Sequence, residues 1–149
     1  MIKHVRQTAY GECLPACLAM IADCTLADCL GTVRRIKDRE GFLYVPMREA
    51  WKWLADRWIG GLTIGFGEGQ SIELPFTMEV GTNVMAIVTV ASEARQGVMH
   101  AVVWCPDRKM ILDPQHDEPQ PLNRYTVIEW NPLVNLDDNN EPKPDEPSI

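Results

Sequence analysis

Two long apolar runs in the second half of the chain restrict its fold more than any other feature. Residues 84–90 read VMAIVTV and residues 98–105 read VMHAVVWC. Both runs are rich in β-branched residues and short enough for strands, so they predict two buried strands joined by a polar turn. The segments 109–112 and 125–130 predict two further strands, and the turn at 106–108 predicts a hairpin. We therefore expect an antiparallel meander in this half.

The first half has the three- and four-residue apolar spacing of helices. The sequence predicts helices over residues 13–23, 25–41 and 47–58. In the third of these, Trp53 falls outside the apolar stripe and is expected to be partly exposed or packed under a loop. Helices that precede an antiparallel sheet place the chain in the α+β class.

Composition divides the chain into one folded domain and a tail. The 149 residues and 46% hydrophobic content suit a single domain, which we assign to residues 1–130. Proline and acidic residues dominate the remainder, which ends in EPKPDEPSI. Such a segment cannot bury enough apolar surface to order itself, so residues 131–149 are expected to form a disordered acidic tail.

Charge and cysteine content narrow the classes of partner. A net charge of −7 argues against a nucleic-acid partner, which requires a basic face. No apolar run approaches the length of a membrane helix, and the start MIKHVRQTAY lacks the apolar segment of a signal peptide. Five cysteines at irregular spacing indicate free thiols in a reducing compartment. We expect a cytoplasmic protein with no nucleic-acid or membrane partner.

The stretch RQTAYGECLPACLAM, which begins at Arg6, places a cysteine where a polar loop becomes an apolar helix. Cys13 would lie in the first helical turn, where free amide groups and the helix dipole favour the reactive thiolate. Gln7, six residues earlier, is placed to donate its side-chain amide to a developing oxyanion. The alternative is a buried structural cysteine beside an ordinary surface glutamine.

His100 interrupts the apolar strand VMHAVVW, and Asp113 follows the next strand in MILDP. If residues 106–108 form a hairpin turn, the two residues lie on neighbouring strands. Asp113 would then accept the Nδ1–H of His100 and direct the other ring nitrogen toward a nucleophile. A lone histidine in such a strand is more often structural, so this prediction depends on the combination with Cys13.

The remaining cysteines and histidines have simpler interpretations. Cys17 lies one helical turn after Cys13 and is expected in the core. The first four cysteines and His4 lack the spacing of a zinc knuckle, so we expect no metal and no cofactor. His116 lies in the acidic, proline-containing loop QHDEPQP and is expected to be solvated.

The pattern Gln7-x5-Cys13, followed by LPACLAMI, MHAVVW and ILDP, resembles the papain-like cysteine peptidases. More closely, it is similar to the bacteriocin-processing (double-glycine leader) peptidases in their stand-alone form, over roughly residues 5–130. The resemblance implies a papain-like fold, with N-terminal helices packed on a C-terminal antiparallel sheet. It also implies that Cys13 is the nucleophile, His100 the general base, Asp113 the residue that orients it, and Gln7 the oxyanion donor.

The resemblance implies a cysteine peptidase that cleaves a peptide or protein substrate through an acyl-enzyme. Leu14 stands where the family usually has glycine, and a side chain there bears on rate and substrate range. Two alternatives remain open. The same acyl-enzyme chemistry serves a deamidase, a transamidase or an isopeptidase, and a catalytically idle module would act by sequestering a partner.

Overall fold

The computed structural model describes residues 2–65 and 83–136, which form three α-helices and two antiparallel sheets, an α+β fold. The helices are α1 (Cys13–Ala22), α2 (Leu26–Thr32) and α3 (Met47–Ala55). The strands are β1 (Ile36–Lys37), β2 (Leu43–Tyr44), β3 (Ile59–Gly61), β4 (Ile64–Gly65), β5 (Ala86–Ala91), β6 (Met99–Cys105), β7 (Met110–Leu112) and β8 (Val127–Asn135).

The larger sheet only partly follows the predicted meander. Strands β5, β6 and β7 are consecutive neighbours, but β8 returns to the other edge of β5, so the order is β3–β8–β5–β6–β7, with β4 also paired to β8. Thr89 on β5 stands opposite Ala101 on one side and Glu129 on the other. Directly opposed residues share a face, so these three side chains form a row across the sheet.

Apolar side chains cover both faces of this sheet. On one face α1 packs against β6, and its residues Ala16–Met20 are buried together with Leu54 and Val103. On the other face Val88, Val102 and Trp130 form a second cluster. Each such buried side chain contributes roughly 1.5–3 kcal/mol relative to exposure. Buried apolar side chains therefore stabilise the sheet on both faces, and they hold α1 against β6.

The second helix is shorter than predicted. It ends at Thr32, and the chain then forms the β1–β2 hairpin where the sequence predicts helix as far as Gly41. Asp38 stabilises the hairpin because its Oδ1 accepts the N–H groups of Glu40 and Phe42, both at 2.9 Å. Gly41 adopts the φ of +89° that the turn requires. An aspartate side chain that accepts hydrogen bonds from nearby backbone N–H groups stabilises a turn in competition with a helix. The apolar periodicity of residues 25–41 does not indicate this turn, so it predicts helix there.

The third helix ends at Ala55, and its buried face is rotated from the predicted stripe: Ala50 and Leu54 are buried as expected, together with Glu49 and Trp53. Trp58 has a φ of 60° and is 62% exposed. Trp53, by contrast, is only 5% exposed; its indole N–H donates to the Thr32 hydroxyl at 2.9 Å, and Arg57 lies 3.5 Å from its ring. Helical spacing fits either stripe, and these contacts favour the one that contains Trp53.

Strand β8 continues to Asn135, past residue 130, where the sequence predicts the tail to begin. Asn131 is fully buried within it, donating to the Ile87 carbonyl at 2.9 Å and accepting from the Thr63 hydroxyl at 2.6 Å. A strand tolerates this polar residue because both ends of its amide are bonded. The sheet therefore extends past residue 130 to Asn135, and the rest of the predicted tail, residues 137–149, lies outside the described residues.

Within residues 2–65 and 83–136, no single helix has the length and apolar character to cross a membrane. Only α1 and α2 together meet those criteria, and they are bent by 108° at their junction.

Candidate active site

Cys13 is the first residue of α1, and hydrogen-bond donors surround its sulfur. The side chain of His100 and the backbone N–H groups of Ala101 and Leu14 bond to it. The N-terminal end of a helix adds the positive end of the macrodipole. The side chain is partly exposed, so a reagent or substrate can reach it.

The loop that precedes Cys13 is held by the side chain of Glu12. Its Oε1 accepts the N–H of Thr8 at 2.9 Å, the hydroxyl of Thr8 at 2.8 Å and the N–H of Ala9 at 2.9 Å. The carbonyl of Ala9 in turn accepts the side-chain amide of Gln7 at 3.0 Å. Sequence reasoning missed Glu12, since a carboxylate beside a cysteine indicates no role until the loop geometry is known.

Gly11 brings this loop against β2. It has a φ of +84°, and a Cβ at this position would lie 2.2 Å from the carbonyl oxygen of Leu43. Only glycine permits both the left-handed backbone and this approach. The contact places β2 beside the helix start that carries Cys13.

The structure brings His100 and Asp113 together as the sequence predicts. The β6–β7 hairpin pairs Val103 with Leu112, so the residue after β7 reaches the beginning of β6. The Nε2 of His100 lies 2.7 Å from the Oδ1 of Asp113. The expectation that Nδ1 makes this contact is wrong, because Nε2 is the ring nitrogen that faces Asp113. Nδ1 is therefore the nitrogen available to hydrogen-bond the Cys13 sulfur.

Asp113 is 2% exposed, and further donors satisfy its carboxylate. The N–H of Gln115 donates to Oδ1 at 2.9 Å, and the hydroxyl of Tyr125 donates to Oδ2 at 2.7 Å. The Nε2 of His116 lies 3.7 Å from Oδ2, and the backbone N–H of His116 bonds the Asp113 carbonyl at 3.0 Å. His116 therefore lies beside Asp113 while its side chain remains 29% exposed, because the turn after Asp113 folds the loop back. Nothing in the sequence pattern indicated Tyr125.

The N-terminal segment is bound to the chain around Asp113. The Nε2 of His4 lies 2.7 Å from the Asp113 carbonyl oxygen. The Pro114 carbonyl accepts both the Nε–H of Arg6 and the backbone N–H of Gln7, each at 3.0 Å. These bonds fix the backbone of Gln7 against the segment that follows Asp113.

The side chain of Gln7 lines the cleft at Cys13. Its Nε2 donates to Ala9, whereas its Oε1 is buried and has no hydrogen-bond partner among the described residues. A buried acceptor left unpaired costs about 1–3 kcal/mol. The bond to Ala9 holds the amide of Gln7 within the loop that precedes Cys13.

The ionisable groups of the site stabilise one another's charged forms. Burial raises the pKa of the Cys13 thiol, but the hydrogen bond and charge of His100 outweigh it, and the net pKa lies below 9.0. Burial lowers the pKa of His100, but its hydrogen bonds to Asp113 and Cys13 prevail and raise it to about 9. Burial likewise raises the pKa of Asp113, and the bonds from His100 and Gln115 bring it below 3.8. The arrangement favours a thiolate beside an imidazolium.

Cys17 provides the contrast within the same helix. It is fully buried, and burial together with nearby negative charge raises its pKa well above 9.0. Its expected place in the core is confirmed. Of the two cysteines in α1, only Cys13 therefore has the exposure and the neighbours of a reactive thiol.

The reactive pair opens into a cleft of about 420 Å³. Its floor includes the sheet residues Ile87, Thr89 and Ala101. Its rim carries exposed apolar side chains, and Tyr10 meets Phe42 edge-on with ring centroids 4.8 Å apart. The rim residues are Tyr10, Phe42, Leu43, Tyr44 and Met99.

Across residues 2–65 and 83–136, no group of three or more His, Cys, Asp or Glu side chains is placed to hold a metal ion. No protein-family model matches the chain, and no curated protein matches it.

Proposed function

We propose that the protein is a papain-like cysteine peptidase, similar to stand-alone relatives of the double-glycine leader peptidases. One observation carries this proposal. Cys13, at the start of α1, is hydrogen-bonded to His100, whose Nε2 lies 2.7 Å from the buried carboxylate of Asp113. A nucleophile, a base and a residue that orients the base are the three parts of a catalytic triad.

Acylation follows from this arrangement. The Cys13 thiolate attacks the scissile carbonyl carbon, a C–S bond forms, and the carbonyl π electrons move to oxygen. The second amide hydrogen of Gln7 and the backbone N–H of Cys13 stabilise this oxyanion. When the C–N bond breaks, the His100 imidazolium gives its proton to the leaving amine. A thioester on Cys13 and a neutral imidazole remain.

Hydrolysis of the thioester restores the starting state. Neutral His100 takes a proton from water as the water oxygen attacks the thioester carbon. The C–S bond then breaks and the carboxylic acid leaves, which returns the thiolate and the imidazolium. Asp113 keeps the imidazole ring oriented and stabilises its positive charge in both half-reactions.

The shape and the apolar lining of the cleft favour a peptide over a small metabolite as the substrate. It is open, its rim is aromatic and apolar, and its floor is a row of sheet residues. Apolar and aromatic side chains of this kind bind peptide side chains by burying their surface. The same acyl-enzyme also permits deamidase, transamidase or isopeptidase chemistry on a partner protein.

The test is incubation of the protein with a library of internally quenched peptides, with Cys13→Ala as the inactive control. We expect peptide cleavage, selective alkylation at Cys13, and loss of both in the variant. Mass spectrometry identifies the reaction, because backbone cleavage, deamidation by about one dalton and loss of a conjugate give different products. Hydrolysis that survives in Cys13→Ala would overturn the proposal. A wild-type protein whose Cys13 resists thiol reagents would favour an idle binding module.

A further inference from the structure

We propose that Glu129 makes the cleft selective for substrates with a lysine or arginine side chain close to the scissile bond. This inference rests on the proposed peptidase function and specifies its substrate class. It depends on a half-buried carboxylate in the cleft floor.

Apart from the Cys13–His100 pair, the charged residues that line the described part of the cleft have one sign. The other ionisable side chains in its walls are Tyr10, Tyr44, Asp38 and Glu129, and within residues 2–65 and 83–136 no lysine or arginine lines it. Tyrosines are neutral near pH 7. Beyond the Cys13–His100 pair, the described walls therefore present two carboxylates and no lysine or arginine to a substrate.

Strand register places Glu129 relative to the chemistry. Glu129, Thr89 and Ala101 form a row across three neighbouring strands, and the N–H of Ala101 bonds the Cys13 sulfur. Neighbouring strands lie about 4.8 Å apart, so the backbone of Glu129 lies about 10 Å from that of Ala101. An extended peptide advances about 3.3 Å per residue. A basic side chain within about three residues of the scissile bond is thus in reach of Glu129.

The charge of Glu129 is not neutralised by the neighbours that the structure describes. Among the described residues, the Thr89 hydroxyl donates to its Oε1 at 3.4 Å, which satisfies only part of a carboxylate's capacity to accept. Residues 66–82, which follow β4, contain no lysine, arginine or histidine by sequence. A half-buried carboxylate of this kind gains most from a cation that enters with the substrate.

Asp38 and Arg95 have other roles. The Oδ1 of Asp38 already accepts two backbone N–H groups of the β1–β2 turn, so Asp38 adds negative charge but has less freedom to bind. The guanidinium of Arg95 lies 4.3 Å from the ring centroid of Tyr10 at the rim, and Arg95 does not line the cleft. Glu129 is therefore the better placed of the two carboxylates to bind a substrate cation.

The test uses internally quenched peptides in matched sets, with lysine, its neutral isostere norleucine, or glutamate at each of three positions on either side of the scissile bond. At one or more positions we expect kcat/KM for lysine to exceed that for norleucine by about tenfold, the scale of one charge-assisted hydrogen bond. Glutamate at the same position should be cleaved more slowly than norleucine. In Glu129→Gln the ratio of lysine to norleucine should fall to about one.

Glu118→Gln is the matched control, since it removes the same charge from an exposed loop residue outside the cleft. It should keep the wild-type preference, and Glu129→Gln should show wild-type alkylation of Cys13 if its fold is intact. Binding of the same peptides to Cys13→Ala supplies a readout without turnover, and the lysine peptide should bind about tenfold more tightly.

Cys13-dependent cleavage without a lysine preference would overturn the inference and leave the peptidase function standing. Equal affinity of Cys13→Ala for the lysine and norleucine peptides would overturn it as well, whether or not any peptide is cleaved. A preference that survives in Glu129→Gln would also contradict the assignment to Glu129.

Discussion

The Nε2 of His100 and the Oδ1 of Asp113 lie 2.7 Å apart, and both residues are almost inaccessible to solvent, at 6% and 2% exposure. A buried carboxylate is unstable as an anion unless donors surround it, and Asp113 has donors at both oxygens. Its charge is thereby fixed beside the imidazole. The contact orients the imidazole ring and keeps a proton on Nε2. Nδ1 is then the ring nitrogen that exchanges a proton with Cys13.

The reactivity of Cys13 should reflect this coupling in its pH dependence. The pKa of Cys13 lies below 9.0 and that of His100 is raised to about 9, so the thiolate–imidazolium pair exists between the two values. We expect kcat/KM to rise with pH on an acid limb below 9.0, as the thiolate forms. It should fall again near pH 9, as His100 loses its proton.

Alkylation of Cys13 by iodoacetamide, followed by mass spectrometry across pH, measures the acid limb directly. In His100→Gln the imidazolium that lowers the pKa of Cys13 is absent, so it no longer opposes the effect of burial, which raises that pKa. The alkylation limb should therefore move to higher pH, toward or above the ordinary cysteine value. A wild-type limb already at the ordinary value would contradict the coupled pair.

Asp113→Asn should reduce both turnover and stability. The amide keeps the shape but removes the negative charge, so the ring loses its orientation and the imidazolium loses its partner. We expect kcat to fall on the order of 10²–10⁴-fold. Loss of a buried, bonded charge should reduce the free energy of unfolding by about 2–4 kcal/mol.

Urea denaturation at several pH values measures this stability term. The folded-state pKa of Asp113 is depressed, so its contribution is present above 3.8 and is lost as the pH falls through the depressed value. The variant should lack that acid-dependent component. Tyr125→Phe is the milder comparison: it removes one donor to Oδ2 and should cost about 1 kcal/mol. Equal stability of Asp113→Asn and wild type at pH 7 would argue against an ionised buried Asp113.

The sequence was sufficient to predict the contact between His100 and Asp113, since a tight turn fixes the register of the two strands. The same reasoning placed Cys13 at the first turn of α1, because a run of small and apolar residues begins there. Both successes involve local periodicity followed by one short connection. The sequence did not determine which ring nitrogen meets Asp113, because that depends on side-chain approach rather than register.

The failures have a common cause in specific side-chain contacts, one between distant segments and two within local turns. Trp53 is buried because it meets Thr32, and His116 lies beside Asp113 because a turn folds the loop back. The β1–β2 hairpin replaces helix because Asp38 bonds its own turn. None of these contacts leaves a periodic signal in the sequence.

Glu12 should act on catalysis by positioning Gln7. Its Oε1 holds the Ala9 peptide, and the Ala9 carbonyl holds the amide of Gln7. Glu12→Ala should lower kcat by about tenfold or more, less than the 10²–10³-fold expected when an oxyanion donor is removed outright. Glu12→Gln retains an oxygen that accepts the same N–H groups, so it should recover most of the loss.

Alkylation of Cys13 separates this role from a general structural one. Iodoacetamide forms no oxyanion, so its rate of reaction with Glu12→Ala should remain close to that of wild type. A parallel fall in alkylation and turnover would indicate a collapsed helix start instead. A rise in KM with kcat unchanged would also contradict a role in the transition state.

Leu14 is partly buried against the core and also lines the cleft beside Cys13. Leu14→Ala should widen the cleft and increase cleavage of peptides with bulky residues next to the scissile bond. The lost burial should lower the free energy of unfolding by about 1–3 kcal/mol.

Leu14→Gly should lower the free energy of unfolding by up to about 1 kcal/mol more than Leu14→Ala, because glycine is the weaker helix former. Thermal unfolding and a peptide series of graded size measure the two effects, and an unchanged size preference would show that Leu14 does not limit the cleft.

Gly11 and Gly41 form a matched pair for testing how the helix start depends on β2. Both have positive φ, +84° and +89°, but an added Cβ at Gly11 meets the Leu43 carbonyl at 2.2 Å, whereas at Gly41 it meets nothing within 4 Å. Gly41→Ala should therefore cost only the left-handed backbone, about 1–2 kcal/mol. Gly11→Ala should cost about 2–4 kcal/mol, since β2 or the loop must also move. The displaced loop leads directly into Cys13, so kcat/KM should fall in Gly11→Ala and stay at the wild-type value in Gly41→Ala. Urea denaturation and peptide cleavage on the two variants measure both quantities, and equal effects would show that the approach of Leu43 to Gly11 is not needed to place the nucleophile.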